Sequence, residues 1–269
     1  MLLAAIGLVA RPAVLAQDQP AAAKPTLGCA EMERFLREAR IGTQSELLDG
    51  VTLPKRTTLH DSNMRHDAAI QTIDEREEQF RDYWGFNVAG YRLARLLGIN
   101  MVPPYVERKI GAKQASLSWW VNDAMMEQDR VNKRVQPPDV EYWNRQMFVA
   151  RVFHQLIRNM DPNLKNFLIT RDWRLWLIDF SRAFGAEREL PNPKDLMKCD
   201  RKLLARLKEL NQPLLERELK PYLNDVDIDG LLARRDVIVK FFEDEIARKG
   251  EAEVLFDLNR VGEPCGVGL

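Results

Sequence analysis

The sequence predicts an α+β protein of two lobes, a small antiparallel β lobe with one helix followed by a mainly helical lobe. Three observations predict this fold. Between residues 55 and 121, short segments with period-two patterning alternate with turn-forming residues. From Asp139 onward, apolar residues recur mostly at helical spacing. One short hairpin, at residues 166–178, interrupts this helical half. The 269 residues are enough for two lobes with a sizeable core.

The composition excludes some classes of partner. Lys and Arg together number 40, as do Asp and Glu, so the formal net charge is zero. This balance gives no bulk attraction to nucleic acid or to an acidic membrane. After the N-terminal region, no apolar run approaches the length of a transmembrane segment.

The N-terminal residues predict export. Residues 2–16 are rich in Ala, Leu and Val, and they end in a small-residue pattern followed by polar residues, as a secretory signal peptide does. No Lys or Arg precedes the apolar run, and a disordered tail is the alternative. We assign residues 1–16 to a signal peptide and 17–28 to a Pro/Ala-rich linker. We therefore expect an exported protein, periplasmic or extracellular.

The three cysteines are Cys29, Cys199 and Cys265. In an oxidising compartment two of them can pair, and a bond between Cys29 and Cys265 would tie the two ends of the folded region together. No two cysteines have metal-ligand spacing, and the three histidines are scattered, which argues against a zinc site.

The first lobe is predicted to span residues 29–121. Its opening helix places Met32, Phe35 and Leu36 on one side. Its later helix ends at Gly98, a typical C-terminal stop. The predicted elements are a helix at 29–41, strands at 56–60 and 66–74, a helix at about 79–97, and strands at 105–110 and 116–121.

The second lobe is predicted to span residues 122–258. Asp139 is the expected N-cap of a long helix that runs to Met160. After the hairpin, helices are predicted at 195–210, 213–222 and 227–249. The charged run 234–236 is expected to face solvent, and residues 259–269 are expected to form a short tail.

The stretch 159–184 carries the candidate chemistry. It holds Asp161, then Asn166, and then Asp179 after the hairpin. Because a hairpin of this length brings its two ends close together, we expect these three side chains to face one space. Carboxylate and amide oxygens are ligands that Mg²⁺ takes together with phosphate oxygens. A further carboxylate beside such a metal can orient or deprotonate an attacking hydroxyl. The plainer alternative is a turn at residues 161–163 and a capping role for Asp179.

The order Asp-x-x-x-x-Asn, hairpin, Asp-Phe-Ser resembles the catalytic and metal-binding loops of the protein-kinase-like superfamily. Residues 159–167 resemble HipA-type kinases. The run Leu-Ile-Asp179 with Arg182-Ala-Phe184 resembles phosphatidylinositol 3/4-kinase-like proteins and secretory-pathway kinases. The resemblance covers about residues 45–250 and extends to uncharacterised secreted bacterial kinase-like proteins.

This resemblance implies a two-lobed kinase-like fold that binds ATP with Mg²⁺ or Mn²⁺. Asn166 and Asp179 would hold the metal and Asp161 would act as the base. Lys165 would offset phosphate charge, with a solvated lysine as the alternative. Arg182 is a second candidate cation, which would otherwise pair with Asp161 or lie on the surface. The acceptor would be a hydroxyl of a protein, a sugar or a lipid head group.

The sequence departs from the kinase-like pattern at the expected Lys/Glu pair of the first lobe. The corresponding positions are Gln71 and Asn87, which are expected to hydrogen-bond to each other but bring no positive charge to the phosphates. Three interpretations stay open. Lys55 or Arg56 on the neighbouring strand replaces the lysine, or the corresponding positions lie elsewhere, or the protein is a pseudokinase that binds a partner without phosphoryl transfer.

Two further parts of a nucleotide site are predicted less directly. Trp119, Trp120 and Val121 lie where the chain would pass between the lobes, and they are expected to wall an adenine pocket, with plain sheet core as the alternative. Gly42 and Gly50 lie near the expected phosphate loop, but they do not form a glycine-rich loop.

Overall fold

The structure, a computed structural model, describes residues 27–46, 55–76, 80–259 and 265. The predicted signal peptide, the linker up to residue 26, Gly50 and most of the predicted tail lie outside these residues. No helix in the described part of the chain is long and apolar enough to cross a membrane.

The first lobe is a five-stranded antiparallel sheet with two helices packed on it, and its strands lie side by side in the order 40–46, 55–60, 65–71, 113–119 and 105–110. The buried side chains Met32, Phe35 and Leu36 attach the first helix to the sheet, as predicted. The elements of this lobe are α1 (Cys29–Glu38), β1 (Arg40–Glu46), β2 (Lys55–His60), β3 (Arg65–Gln71), β4 (Asp74–Arg76), β5 (Arg81–Tyr83), α2 (Trp84–Leu96), β6 (Tyr105–Ile110) and β7 (Lys113–Trp119).

The β2–β3 hairpin sets the two faces of this sheet. The Asp61 carboxylate accepts hydrogen bonds from the backbone amides of Asn63 and Met64, in the turn that joins these two strands. Alternation then buries Ala68 and Ile70 on one face, where the first helix packs, since side chains point to opposite faces along a strand. The other face carries Asp67, Ala69 and Gln71, and Gln71 contacts both α2 and the second lobe there, through Asn87 and Asp179.

Several boundaries in this lobe differ from prediction. The first helix ends at Glu38 rather than at residue 41, because Arg40 and Ile41 already pair with β2 as part of β1, and β7 spans Lys113–Trp119 rather than 116–121. The return strand ends at Gln71 rather than at residue 74, and α2 begins at Trp84 rather than near 79. The small β4–β5 hairpin lies between them. The backbone amide of Trp84 donates to Ile73 and that of Tyr83 to Ser181, so these residues join neighbouring chain segments instead of extending the helix.

The second lobe is mainly helical, as predicted, so the two-lobed α+β architecture is confirmed. The Asp139 carboxylate accepts a hydrogen bond from the Tyr142 amide, which confirms the predicted N-cap. The elements are β8 (Met125–Met126), α3 (Glu127–Asn132), α4 (Val140–Leu156), β9 (Phe167–Ile169), β10 (Leu175–Leu177), β11 (Cys199–Asp200), α5 (Arg201–Glu209), α6 (Gln212–Leu219), α7 (Asp225–Lys249), α8 (Glu251–Val254) and β12 (Leu255–Phe256).

The long helix ends earlier than predicted. It stops at Leu156, and Arg158 takes a left-handed backbone conformation with φ of 49°. The Asn159 side chain then hydrogen-bonds His154, a buried residue stacked on Phe167. Burial lowers the pKa of His154 to about 4. His154 is therefore a neutral core residue that helps reverse the chain ahead of Asp161.

The predicted solvent-exposed run 234–236 is wrong for Arg234, which is fully buried. Its guanidinium donates to the backbone carbonyls of Leu156 and Gly185, at 2.8 and 3.1 Å, and to that of Glu187. These carbonyls lie where chain segments end and would otherwise be unsatisfied. Arg234 therefore links α7 to the end of α4 and to the loop that follows the candidate site.

Residues 251–256, which follow the last predicted helix, form α8 and β12, two elements that the sequence did not predict. Gly250, with φ of 87°, ends α7 as expected. The apolar residues of β12 then pair in parallel with β11, at Cys199 with Leu255 and Asp200 with Phe256. A two-residue pairing between segments more than fifty residues apart leaves no local pattern in the sequence.

Cys29 and Cys265 form a disulfide bond, the pairing that ties the two ends of the folded region together, and Cys199 is a free, buried thiol. The bond anchors Cys265 beside α2, where Tyr91 and Arg95 lie 3.7 and 3.6 Å from its sulfur. It therefore joins the start of the first lobe, the back of α2 and a residue beyond the second lobe.

Removing this disulfide should destabilise the protein. For the variant with both Cys29→Ser and Cys265→Ser, we expect a loss of about 3 kcal/mol in the free energy of unfolding, because the unfolded chain regains the entropy of a large loop. Thermal unfolding should show a fall of about 6–12 °C. Dithiothreitol should lower the melting temperature of the wild type but not that of the double variant. Equal melting temperatures of oxidised and reduced wild type would contradict the expectation.

Candidate functional site

The ends of the β9–β10 hairpin meet, as the sequence predicts. The Ile178 amide donates to the Asn166 carbonyl at 3.0 Å, and the Asn166 side chain donates to the Asp161 carbonyl at 3.3 Å. Asp161, Asn166 and the start of the Asp179 loop are therefore neighbours. The side-chain oxygen of Asn166 is not used by either contact.

Short-range hydrogen bonds shape the Asp161 loop. The Asp161 amide donates to the Asn159 side chain, and the Asp161 carboxylate accepts from the Asn163 side chain at 2.9 Å. Asn163 in turn accepts from the Lys165 amide at 2.9 Å, starting a single turn of 3₁₀ helix. These local bonds explain the Asp, Pro and Asn residues here. They leave 42% of the Asp161 side chain exposed, so a substrate can reach its carboxylate.

Asp179 combines an unusual backbone with a largely buried side chain. Its φ is 58°, in the left-handed region that Asp and Asn tolerate better than most residues. Its carboxylate accepts from the Gln71 amide at 3.1 Å and from the Ser181 backbone at 3.4 Å. Burial raises the pKa of Asp179, while these hydrogen bonds act in the opposite direction. All of these donors are neutral, so a bound cation would supply the missing counter-charge.

The predicted hydrogen bond between Gln71 and Asn87 is present. The Asn87 Nδ2 donates to the Gln71 Oε1 at 2.5 Å, and the Phe180 amide donates to the Asn87 Oδ1 at 2.7 Å. Together with the hydrogen bond from Gln71 to Asp179, these contacts form a continuous series of hydrogen-bonded side chains. We call this series the amide chain (Asn87, Gln71 and Asp179), and it joins α2, β3 and the loop after β10.

Gly90 allows α2 to approach this loop closely. A Cβ atom at residue 90 would lie 2.7 Å from the Phe180 ring, closer than carbon atoms can approach. Phe180 is fully buried and packs edge-on against Phe153 of α4, with ring centres 5.7 Å apart. Its side chain therefore fills the space between the helices of the two lobes, directly after Asp179.

The candidate cations differ in their placement. Arg56 lies opposite Ala69 and so on the same sheet face as Gln71, where it pairs with Asp67 at 2.6 Å. Lys55 lies opposite Ile70, on the other face from Gln71. Lys165 is exposed, and within the described residues no carboxylate pairs with its ammonium group. Of the two candidates on β2, only Arg56 is therefore on the face toward the second lobe.

The residues predicted to wall an adenine pocket separate into two groups. Trp119 is sheet core, fully buried and stacked on His66 with ring centres 3.8 Å apart. Val121 is also buried. Trp120 is partly exposed, and the Arg56 guanidinium lies 4.4 Å from the centre of its ring. The structure thus places Trp120 and Arg56 together on the face that also carries Gln71.

Sequence reasoning missed Asp82 as part of this site. Asp82 lies in β5, its side chain is only 5% exposed, and its carboxylate binds the Arg182 guanidinium at 2.7 Å. Arg182 also lies 3.6 Å from the Asp161 carboxylate, so the predicted alternative of an Arg182–Asp161 pair is present. The only sequence signal for Asp82 was an acidic residue between Arg81 and Tyr83, which is indistinguishable from an exposed charge.

Within the described residues, no group of three or more His, Cys, Asp or Glu side chains is arranged to hold a metal ion. A divalent cation at this site would therefore take a carboxylate and an amide oxygen, those of Asp179 and Asn166, and complete its coordination with phosphate oxygens and water. That mixed set is the usual one for Mg²⁺ at nucleotide sites.

No family model and no curated protein matches the chain. Among solved structures it is similar to the crystal structure of a Helicobacter pylori proinflammatory kinase, CtkA. The two are 9% identical, with a TM-score of 0.49, over 80% of this chain and 94% of that chain. We draw nothing about activity from a likeness at this level. The resemblance to HipA-type and phosphatidylinositol-kinase-like proteins stays a prediction.

Replacing Asp179 with Asn should stabilise the ligand-free protein. Because burial raises the pKa of Asp179, its ionised form is disfavoured in the folded state. Asn keeps the acceptor for Gln71 and tolerates the left-handed backbone. We expect a gain of about 0.5–2 kcal/mol in the free energy of unfolding at pH 7–8.

The sign of the pH dependence follows from the raised pKa. As the pH falls through it, wild-type Asp179 takes up its proton in the folded state, and the advantage of Asp179→Asn should disappear. Thermal unfolding between pH 4 and 8 tests this, with the exposed Asp236→Asn as the matched control. A variant less stable than wild type at pH 8 would contradict the expectation.

Proposed function

We propose that the chain is a kinase-like phosphotransferase that binds ATP with Mg²⁺ or Mn²⁺ between its lobes and transfers the terminal phosphoryl group to a hydroxyl acceptor. The observation that carries the proposal is the meeting of Asp161, Asn166 and Asp179 at one place. The amide chain supports it further, since Gln71 and Asn87 lie where the resemblance implies a phosphate-binding pair.

Each residue has a role that its placement supports. The exposed Asp161 carboxylate accepts the acceptor hydroxyl's proton as the oxygen–phosphorus bond forms, and the bond from the terminal phosphorus to ADP breaks. Asn166 and Asp179 would hold the metal, which would supply Lewis-acid stabilisation of the charge on the phosphate groups. Gln71 donates one amide hydrogen to Asp179 and so fixes the direction in which that carboxylate points.

Phosphoryl transfer also needs a positively charged side chain near the phosphates, in addition to the metal. Arg56 is the better placed of the two β2 candidates, because it shares the sheet face of Gln71 and already lies over Trp120. Lys165, beside Asn166 and free of carboxylate partners in the described structure, is the second source. Stacking of a nucleobase near Trp120 would add affinity without requiring charge.

The same residues also support a second candidate, a pseudokinase that binds a nucleotide or a protein partner without phosphoryl transfer. The observation in its favour is the neutral pair Gln71–Asn87, whose amide groups already satisfy each other and leave no cation at that position. We propose export for either candidate. The disulfide between Cys29 and Cys265 supports it, because such bonds persist in oxidising compartments.

Nucleotide binding tests the phosphotransferase and the nucleotide-binding form of the pseudokinase. We expect ATP with Mg²⁺ or Mn²⁺, at about a hundred times its dissociation constant, to stabilise the wild type by about 2.7 kcal/mol. The melting temperature should rise by about 5–10 °C. Asp179→Asn should lose the shift because the metal loses a carboxylate ligand, and Asp236→Asn should keep it. No shift with any nucleotide in the wild type would contradict the proposal.

Phosphoryl transfer then separates the two candidates. With labelled ATP and panels of protein, sugar and lipid-head-group acceptors, a phosphotransferase should label an acceptor. Asp161→Asn should lower the rate about 10²–10⁴-fold while keeping the nucleotide-dependent thermal shift. A wild type that binds nucleotide yet transfers no faster than Asp161→Asn would favour the pseudokinase.

A further inference from the structure

Arg182 lies between two carboxylates that come from different lobes. Its Nε is 2.7 Å from the Asp82 carboxylate on β5, and its Nη1 is 3.6 Å from the Asp161 carboxylate. Its guanidinium also lies 5.0 Å from the centre of the Phe80 ring. One side chain therefore contacts the first lobe and the proposed base at the same time.

Asp82 depends on this contact. Its side chain is 5% exposed, and its Oδ1 has no hydrogen-bond partner among the described residues. A carboxylate removed from water needs a counter-charge, and Arg182 supplies it. The hydrogen bond to Asp82 is also the main cause of the raised pKa of Arg182. Asp82 thus fixes the guanidinium, and the weaker contact with Asp161 follows from where the guanidinium is held.

The backbone holds the same three segments in place. The Tyr83 amide donates to the Ser181 carbonyl at 2.8 Å, next to the Asp82–Arg182 pair. The Met160 amide donates to the Arg182 carbonyl at 3.2 Å, next to Asp161. The position of the Asp161 loop relative to β5 is therefore set through residues 181–182.

We propose that Arg182, anchored by Asp82, is a positioning residue that sets where the Asp161 carboxylate points in the candidate site. This inference rests on the proposed function, since it deepens the role of Asp161 as base. The planar guanidinium can direct one edge to each carboxylate, whereas a lysine ammonium cannot hold both in fixed directions. Nucleotide affinity should not depend on it, because Arg182 contacts the proposed base rather than the proposed metal ligands.

Four variants test whether the ion pair of Asp82 and Arg182, which we call the clamp, positions Asp161. Arg182→Gln alone leaves Asp82 buried without a partner, and the fold itself could suffer. The double variant Asp82→Asn with Arg182→Gln removes both charges and keeps polar groups at both sites, so it tests the contact with Asp161 in a folded protein. Arg182→Lys keeps the charge without the planar bridge. Arg206→Gln is the control, because Arg206 is an exposed residue that forms a surface ion pair in α5.

The first readout is the split between turnover and nucleotide affinity. We expect the double variant and Arg182→Lys to lower the turnover number about 100-fold, since a small misplacement of a reacting group has an effect of that size. The KM for ATP should stay within about threefold of wild type. Arg206→Gln should match wild type in both. A folded double variant with wild-type turnover would overturn the inference.

The second readout does not require activity. In hydrogen exchange, the backbone amides of residues 160–166 should exchange about tenfold faster in the double variant than in wild type, while those of residues 238–242 in α7 should not change. If the wild type shows no nucleotide-dependent thermal shift, the proposed function fails, and exchange alone decides whether the clamp exists. Unchanged exchange at residues 160–166 would overturn the clamp whatever the activity.

Discussion

The hydrogen-bonded chain from Asn87 through Gln71 to Asp179 is the interaction on which the candidate site depends. A buried polar network stabilises one arrangement only when each member finds its partner, and here every link joins a different element. Asn87 also receives the Phe180 amide, so the same network fixes the backbone on both sides of the loop. The close approach of α2 at Gly90 and the burial of Phe180 follow from that arrangement.

The amide chain gives the candidate site different electrostatics from the ion pair that the resemblance implies. Two amides orient Asp179 without adding charge, and burial then raises the pKa of a carboxylate whose donors are neutral. A cation bound beside such a carboxylate would relieve the cost of its ionisation. The neighbouring Arg182 is already committed to Asp82, so it does not fill that role for Asp179.

Much of this arrangement could be predicted from local sequence. The cap at Asp139 and the hairpin that joins Asn166 to Asp179 follow from residue type and spacing over short distances. The hydrogen bond between Gln71 and Asn87 was expected from the resemblance, which placed both residues at the positions of a known pair. The pairing of Cys29 with Cys265 required only that the ends of the fold meet.

The parts that sequence reasoning missed depend on tertiary contacts. In the sequence, Arg234 is one of three adjacent charged residues. In the structure it is buried, because its guanidinium donates to backbone carbonyls at the end of α4 and in the loop after the candidate site. Asp82 belongs to the site because it pairs with Arg182, a residue a hundred positions further along the chain. The pairing of β11 with β12 joins two dipeptides with no periodic signal. In each case the placement of the residue depends on a backbone group or a charge far away in the sequence, and local sequence patterns do not predict it.

The central claim is that Asn166 and Asp179 form a metal–nucleotide site between the lobes. Water-proton relaxation by Mn²⁺, titrated with the protein in the presence and absence of ATP, tests it most directly, because the relaxation rate rises when the metal and nucleotide bind together to a large, slowly tumbling protein. The claim predicts a strong ATP-dependent enhancement with wild type and Asp236→Asn, and its loss with Asn166→Ala and Asp179→Asn. No enhancement with wild type, or an undiminished one with both site variants, would contradict it.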